Sequence, residues 1–103
     1  MFVQKGKPKV SDDPRVIDAY LVASARLGER DAFARLVGLR GARLYTHARR
    51  LCDDAETAQD MVQQAWVEIW RGLCGLRDDH AFLPWALRIV TRIAARDLRG
   101  RLA

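Results

Sequence analysis

Residues 58–70 read AQDMVQQAWVEIW, and the spacing of their apolar side chains decides between helix and strand. At 100° per residue, Ala58, Val62, Ala65, Trp66, Ile69 and Trp70 fall in one arc. Ala55 and Leu73 extend it on either side, and Met61 lies at its border. That period is helical, and the arc is the expected core side of a helix over about 54–73. Gln59 falls between the tryptophans on that arc, so it must reach the rim or find a buried partner. The opposite side carries Glu56, Asp60, Gln63, Gln64 and Glu68, with Val67 among them. From Cys52 to Trp70 the segment has five acids and no Lys or Arg, a net −5, in a chain whose formal net charge is +5. A solvated helix face ordinarily mixes Lys with Glu, because such pairs stabilise it at i,i+4. An acidic face with adjacent glutamines and an exposed valine reads instead as a surface for a protein partner.

The next periodic segment has the opposite sign. Arg88, Arg92, Arg96 and Arg99 are spaced four, four and three, within about 80° of one helical face. Leu83, Leu87, Val90, Ala94 and Leu98 mark the expected buried side. Like charges at i,i+4 oppose helix stability by a few tenths of a kcal/mol each. The stripe therefore calls for an anionic partner, and Asp97 is the only acid nearby, off the stripe. Guanidinium pairs with phosphate in a bidentate way. Trp85, one turn ahead of Arg88, is either a half-buried core residue or a platform for an unpaired base.

The rest of the chain completes a helical pattern. A start signal at Ser11, Asp12, Asp13 and Pro14 opens a first helix to about Leu27. Its expected buried stripe is Val16, Ile17, Tyr20, Leu21 and Leu27, interrupted by Ser24, and Gly28 sits just past its end. A second helix runs from Arg30 or Asp31 to about Leu51. Phe33, Leu36, Val37, Leu44, Tyr45, Ala48 and Leu51 recur on it at three and four. Gly38 and Gly41 there mark either a close helix approach or a bend. Asp53 or Asp54 caps the third helix. Gly75 and the polar loop Arg77-Asp78-Asp79-His80 lead to a fourth helix over about 81–99, with Pro84 in its first turn. The fold class is all-α, a compact bundle of about four helices. The domain spans 12–103, behind a basic arm at 1–11 holding Lys5, Lys7 and Lys9. That arm is a solvated tail or a DNA-contacting segment.

Composition narrows the function classes. In 103 residues, 50% are hydrophobic and 30% charged, which suits one folded domain. Cys52 and Cys74, 22 positions apart, match no zinc spacing and read as reduced thiols of a cytoplasmic protein. No apolar run approaches the roughly 20 residues of a membrane span. The N-terminus has positive charge without an apolar h-region, so it does not read as a signal peptide. His47 and His80 have no catalytic or metal partners at readable spacing, and no Gly-rich phosphate loop is present. Asp78 and Asp79 alone fall short of a cation site. No enzyme, cofactor or metal is expected.

Three segments, DAFARLVGLRGARLYTHARRL, AETAQDMVQQAWVEIWRGL and AFLPWALRIVTRIAARDLR, follow one another in this order. Together they resemble region 2 of bacterial RNA polymerase sigma factors of the extracytoplasmic-function group, from about Asp31 to Arg101. The strongest matches are Asp60, Gln63 and Trp70, and Phe82, Trp85, Arg88 and Ile89 at the family's spacing. The resemblance implies binding of the polymerase β′ clamp helices through Glu56, Asp60, Gln63, Gln64, Val67 and Glu68. It also implies recognition and melting of the promoter −10 element. The loop at about 76–81, with Arg77, Asp78, Asp79 and His80, would hold a flipped non-template base. Trp85, Arg88, Arg92, Arg96 and Arg99 would contact the DNA around it.

Three positions depart from the family pattern. Gln64 stands where the family has Glu, Arg92 where it has Asn, and Arg96 where it has Asp. The last two favour sequence-independent phosphate binding. Complete members of the group carry a second helical domain that reads the −35 element, and no such region 4 is expected within residues 12–103. The alternative reading is a protein-interaction module, a decoy or an anti-sigma-bound partner, with no promoter-reading role of its own.

Overall fold

The computed structural model describes residues 13–102, apart from the side chain of Leu102. The N-terminal arm, Ser11 and Asp12 lie outside the described residues. Four helices follow in order: α1 Pro14–Arg26, α2 Arg30–Leu51, α3 Ala55–Gly72 and α4 Phe82–Leu102. Two single 3₁₀ turns, Leu73–Gly75 and Asp79–Ala81, form the link from α3 to α4. No strand occurs among the described residues. The all-α fold expected from the helical periods is the one observed.

Local chemistry sets each boundary. Asp13 caps α1 by accepting from the Arg15 amide at 2.9 Å, with Pro14 at the first helical position. The helix closes where Gly28 takes φ +96°, a left-handed conformation that glycine adopts without Cβ strain. There the Gly28 amide donates to the Ala25 carbonyl at 2.9 Å and the Glu29 amide to that of Ser24 at 3.2 Å. Asp54, rather than Asp53, caps α3, accepting from the Thr57 amide at 2.7 Å and the Thr57 hydroxyl at 3.0 Å. In the link, Asp78 accepts from the His80 amide at 3.0 Å and so starts the second 3₁₀ turn. Helix α2 runs unbroken through Gly38 and Gly41. A Cβ at either glycine would meet nothing within 4 Å, so no close helix approach depends on them.

The core gathers Leu21, Val22, Leu36, Leu44, Ile69, Phe82, Ile89 and Val90 from all four helices. Each such side chain contributes about 1.5–3 kcal/mol on leaving water. Helices α2, α3 and α4 enclose it. Helix α1 lies across α2 and reaches the second 3₁₀ turn with its C-terminal end.

Several expected core positions are corrected. On α1 the buried face is Asp18, Leu21, Val22 and Ala25. Tyr20 is 69% exposed and Leu27 83% exposed. Leu27 lies beyond the last helical turn, and Tyr20 sits on the outer flank of the 18–21–25 row. Trp70 and Leu98 stand 45% and 58% exposed, and Leu51 is exposed as well. Trp70 packs edge-on against Phe33, ring centroids 4.8 Å apart, at the margin of the core rather than within it. Gln59 reaches the exposed rim.

The buried Asp18 is a feature the periodicity did not reveal. It accepts from Arg40 Nε of α2 at 2.8 Å, and Arg40 Nη2 also reaches the Pro14 carbonyl at 3.4 Å. Burial pushes the Asp18 carboxyl above the usual carboxylate range, and the hydrogen bond from Arg40 opposes that push. The pair ties α1 to α2.

Candidate functional site

Helix α3 puts two chemistries on two faces because its apolar residues repeat at the helical period. Ala58, Met61, Ala65 and Ile69 are buried. Glu56, Asp60, Gln63, Gln64 and Val67 are exposed, Val67 at 48%. Asp60 takes part in no ion pair among the described residues.

Glu68 differs from the rest of that set. It is half-buried and turned toward α4, where Oε1 accepts from Arg92 Nη2 at 3.2 Å and Oε2 from Arg96 Nη2 at 2.6 Å. The hydrogen bond from Arg96 first, and that from Arg92, hold its carboxyl below the usual range against partial burial. Relief of the arginine stripe therefore comes across the helix pair from Glu68. Asp97 instead pairs with Arg101, Oδ2 to Nε 3.2 Å.

Arg88, Arg92, Arg96 and Arg99 are all exposed along α4. Of the four, Arg88 and Arg99 have no carboxylate partner among the described residues. Trp85 is half-buried. Its indole lies over Gly72 at the end of α3, where a Cβ would come within 3.4 Å of the ring, and near Phe82, centroids 6.1 Å apart. A Cβ there would make ordinary van der Waals contact with the indole. Between α3 and α4 opens a groove of about 390 Å³ lined by Glu68, Arg71, Gly72, Trp85, Arg88, Ile89 and Arg92. Arg71, at the last turn of α3, faces the same groove and carries no acidic partner among the described residues. It was not among the residues selected from the sequence.

The α3–α4 link is held by a residue that sequence reasoning missed. Arg26, at the end of α1, donates from Nε to the Leu73 carbonyl at 3.2 Å and from Nη2 to the Leu76 carbonyl at 3.0 Å. Its Nη1 reaches Asp79 Oδ2 at 3.2 Å, and Nη2 also bonds Asp79 Oδ1. Donating to the Asp79 carboxylate raises the Arg26 pKa further. One guanidinium thus fixes both 3₁₀ turns. Asp79 faces inward to Arg26, whereas Arg77, Asp78 and His80 are exposed at the loop tip. Leu76 is buried and anchors the loop from below. A separation of 53 residues between Arg26 and Asp79 leaves no spacing signal. The available hint is an arginine in the last turn of α1, two residues before the closing Gly28.

Among the described residues no group of three His, Cys, Asp or Glu side chains could hold a metal ion. Cys52 and Cys74 are free thiols. No described helix is long and apolar enough to cross a membrane.

The described residues thus form an all-helical bundle with an acidic helix beside an arginine-striped one. Residues 36–102 match the family model for sigma-70 region 2, and the chain belongs to that family. Its relatives agree. It is similar to the RNA polymerase sigma-H factor of Pseudomonas aeruginosa, 35% identical over 86 residues, covering 82% of this chain and 45% of that protein. It is also similar to the probable RNA polymerase sigma factor RfaY of Xanthomonas campestris pv. campestris, 33% identical over 73 residues, covering 71% of this chain and 18% of that protein. The chain spans less than half the length of either relative.

Proposed function

We propose that this chain acts in transcription initiation as the region 2 domain of a sigma factor of the extracytoplasmic-function group, in the cytoplasm. In this reading Glu56, Asp60, Gln63, Gln64 and Val67 on α3 meet the clamp helices of the polymerase β′ subunit. The loop from Leu76 to Ala81 receives a flipped base of the −10 non-template strand. Trp85, Arg88, Arg92, Arg96 and Arg99 hold the strand around it, with Arg71 added from the groove. Flipping a base costs a few kcal/mol, which a preformed loop and a cationic platform offset. An anti-sigma protein would compete for the same faces. No residue is given a catalytic role.

The observation that carries the reading is the division of sign. The outer side of α3 is acidic and uncompensated at Asp60, while α4 presents arginines one turn apart. Glu68, the sixth residue of the α3 set, sits between the two faces and in this reading steadies the DNA platform as well as bordering the polymerase face.

The test is Asp60→Arg. The variant is expected to keep its helicity by circular dichroism and to lose capture by an immobilised β′ clamp fragment. Capture at wild-type strength would sink the assignment of α3.

A further inference from the structure

The most basic helix of the described residues is neither α3 nor α4. Helix α2 carries Arg30, Arg35, Arg40, Arg43, Arg49 and Arg50 against Asp31 alone, a formal +5. Arg40 is engaged by Asp18, and Arg49 turns to the Cys52 carbonyl at 3.5 Å. Arg43 and Arg50 are exposed, and no ion pair among the described residues includes either. With His47 they are spaced four and three, within about 60° of one face.

His47 locates that face in the bundle. Its Nε2 lies 2.8 Å from Thr91 Oγ1 on α4. The Thr91 hydroxyl donates its one hydrogen to the Leu87 carbonyl at 3.1 Å, so it accepts from His47 Nε2–H. Thr91 is one turn along α4 from Arg88. The row 43–47–50 therefore forms one bank of the seam between α2 and α4, beside the α4 arginines. Burial first, then Arg43 and Arg50, pushes the His47 pKa down, so both cations act on the same spot.

The two flanks of α4 are unequal. On the α3 flank Glu68 already satisfies Arg92 and Arg96. On the α2 flank Arg43 and Arg50 meet no carboxylate among the described residues. An extended polyanion running along α4 would satisfy both banks at once, and planar guanidinium groups suit its phosphates.

We infer that Arg43 and Arg50 form a second phosphate-binding row, on the α2 bank of the α2–α4 seam where His47 is held to Thr91. It takes the sugar–phosphate backbone of the DNA strand lying on α4 and reads no base. This inference rests on the assignment of α4 to DNA.

Two double variants, Arg43→Ala with Arg50→Ala and Arg88→Ala with Arg92→Ala, separate the two claims. Binding of a fluorescent single-stranded dT 20-mer is followed by anisotropy between 50 and 200 mM salt. The α2 variant is expected to bind on the order of tenfold more weakly, with a salt slope shallower by about 1.4 for two lost phosphate contacts. The loss should be the same for a mixed-sequence strand. Arg43 and Arg50 are exposed, so helicity should not change, and Arg43→Gln with Arg50→Gln should reproduce the loss. An α2 variant with wild-type affinity and slope, beside an α4 variant that loses both, overturns the second row and leaves α4 standing. If neither variant moves the slope, the DNA assignment itself fails and takes the second row with it. An α2 variant that binds DNA normally but loses core polymerase overturns the inference in favour of an acidic protein surface.

Discussion

Arg26 shows how one side chain can hold a loop. Its guanidinium bonds two backbone carbonyls and one carboxylate, on both 3₁₀ turns of the α3–α4 link. Hydrogen bonds to charged groups are worth about 1.5–3 kcal/mol each, and the carbonyls left behind would have to find water. Arg26→Ala is expected to lower stability by about 2 kcal/mol. Amide exchange should speed up at 76–81 while α2 stays protected, as hydrogen-exchange mass spectrometry would show. Arg40 makes a harder case, because its partner Asp18 is nearly buried. Removing one member of a buried pair typically costs about 3–5 kcal/mol. Arg40→Ala should reach that range in urea unfolding, and Asp18→Leu with Arg40→Leu should recover most of it. Neither pairing was legible in the sequence. The partners lie 53 and 22 residues apart, and an aspartate with Arg15 one turn before it gives no sign of being buried. Leu27 and Tyr20 misled for the converse reason. They continue an apolar pattern, but the helix has ended at Leu27 and Tyr20 is left exposed.

Helix boundaries were legible because caps are local. Asp13 with Pro14, Gly28 and Asp54 each act within a few residues of themselves, so the four helices fall close to where their patterns place them. The sign of each face was legible too, since periodicity alone sorts Asp60 and the α4 arginines outward. What one helix does for another was not. Glu68 belongs by spacing to the acidic face of α3, yet its carboxylate bridges Arg92 and Arg96 of α4. The sign of its pH effect follows from the direction of its shift. The folded-state pKa lies below the unfolded value near 4.3, so the stabilisation is full above about pH 4.3 and fades as pH falls through the folded value. Both arginines are largely in solvent, which limits the pair to about 0.5–1 kcal/mol. Glu68→Gln should therefore be less stable than wild type at pH 7 by that amount. The gap should narrow as pH falls below about 4.3 and through the lowered folded-state value, as urea unfolding over that pH range would measure.

For the molecule as a whole, the proposed function separates two tasks by putting them on adjacent helices with little shared chemistry. Sites that share no partner behave additively, and sites in one network do not. Asp60 has no ion-pair partner among the described residues, whereas Arg92 shares Glu68 with Arg96. In the proposed function, Asp60→Arg weakens polymerase capture, and Arg88→Ala with Arg92→Ala weakens the hold on DNA. Combining them should multiply the two losses in promoter opening by reconstituted polymerase, leaving an interaction energy within about 0.5 kcal/mol of zero. Glu68→Gln combined with the same arginine pair should break additivity, because removing Arg92 has already undone half of what Glu68 bridges. The measurement is a double-mutant cycle on open-complex formation, with each protein checked for helicity. If the Asp60 cycle instead shows strong coupling, the two helices do not work as separate faces. The bridge at Glu68 would then be the route between polymerase and DNA, rather than a local brace for the arginines of α4.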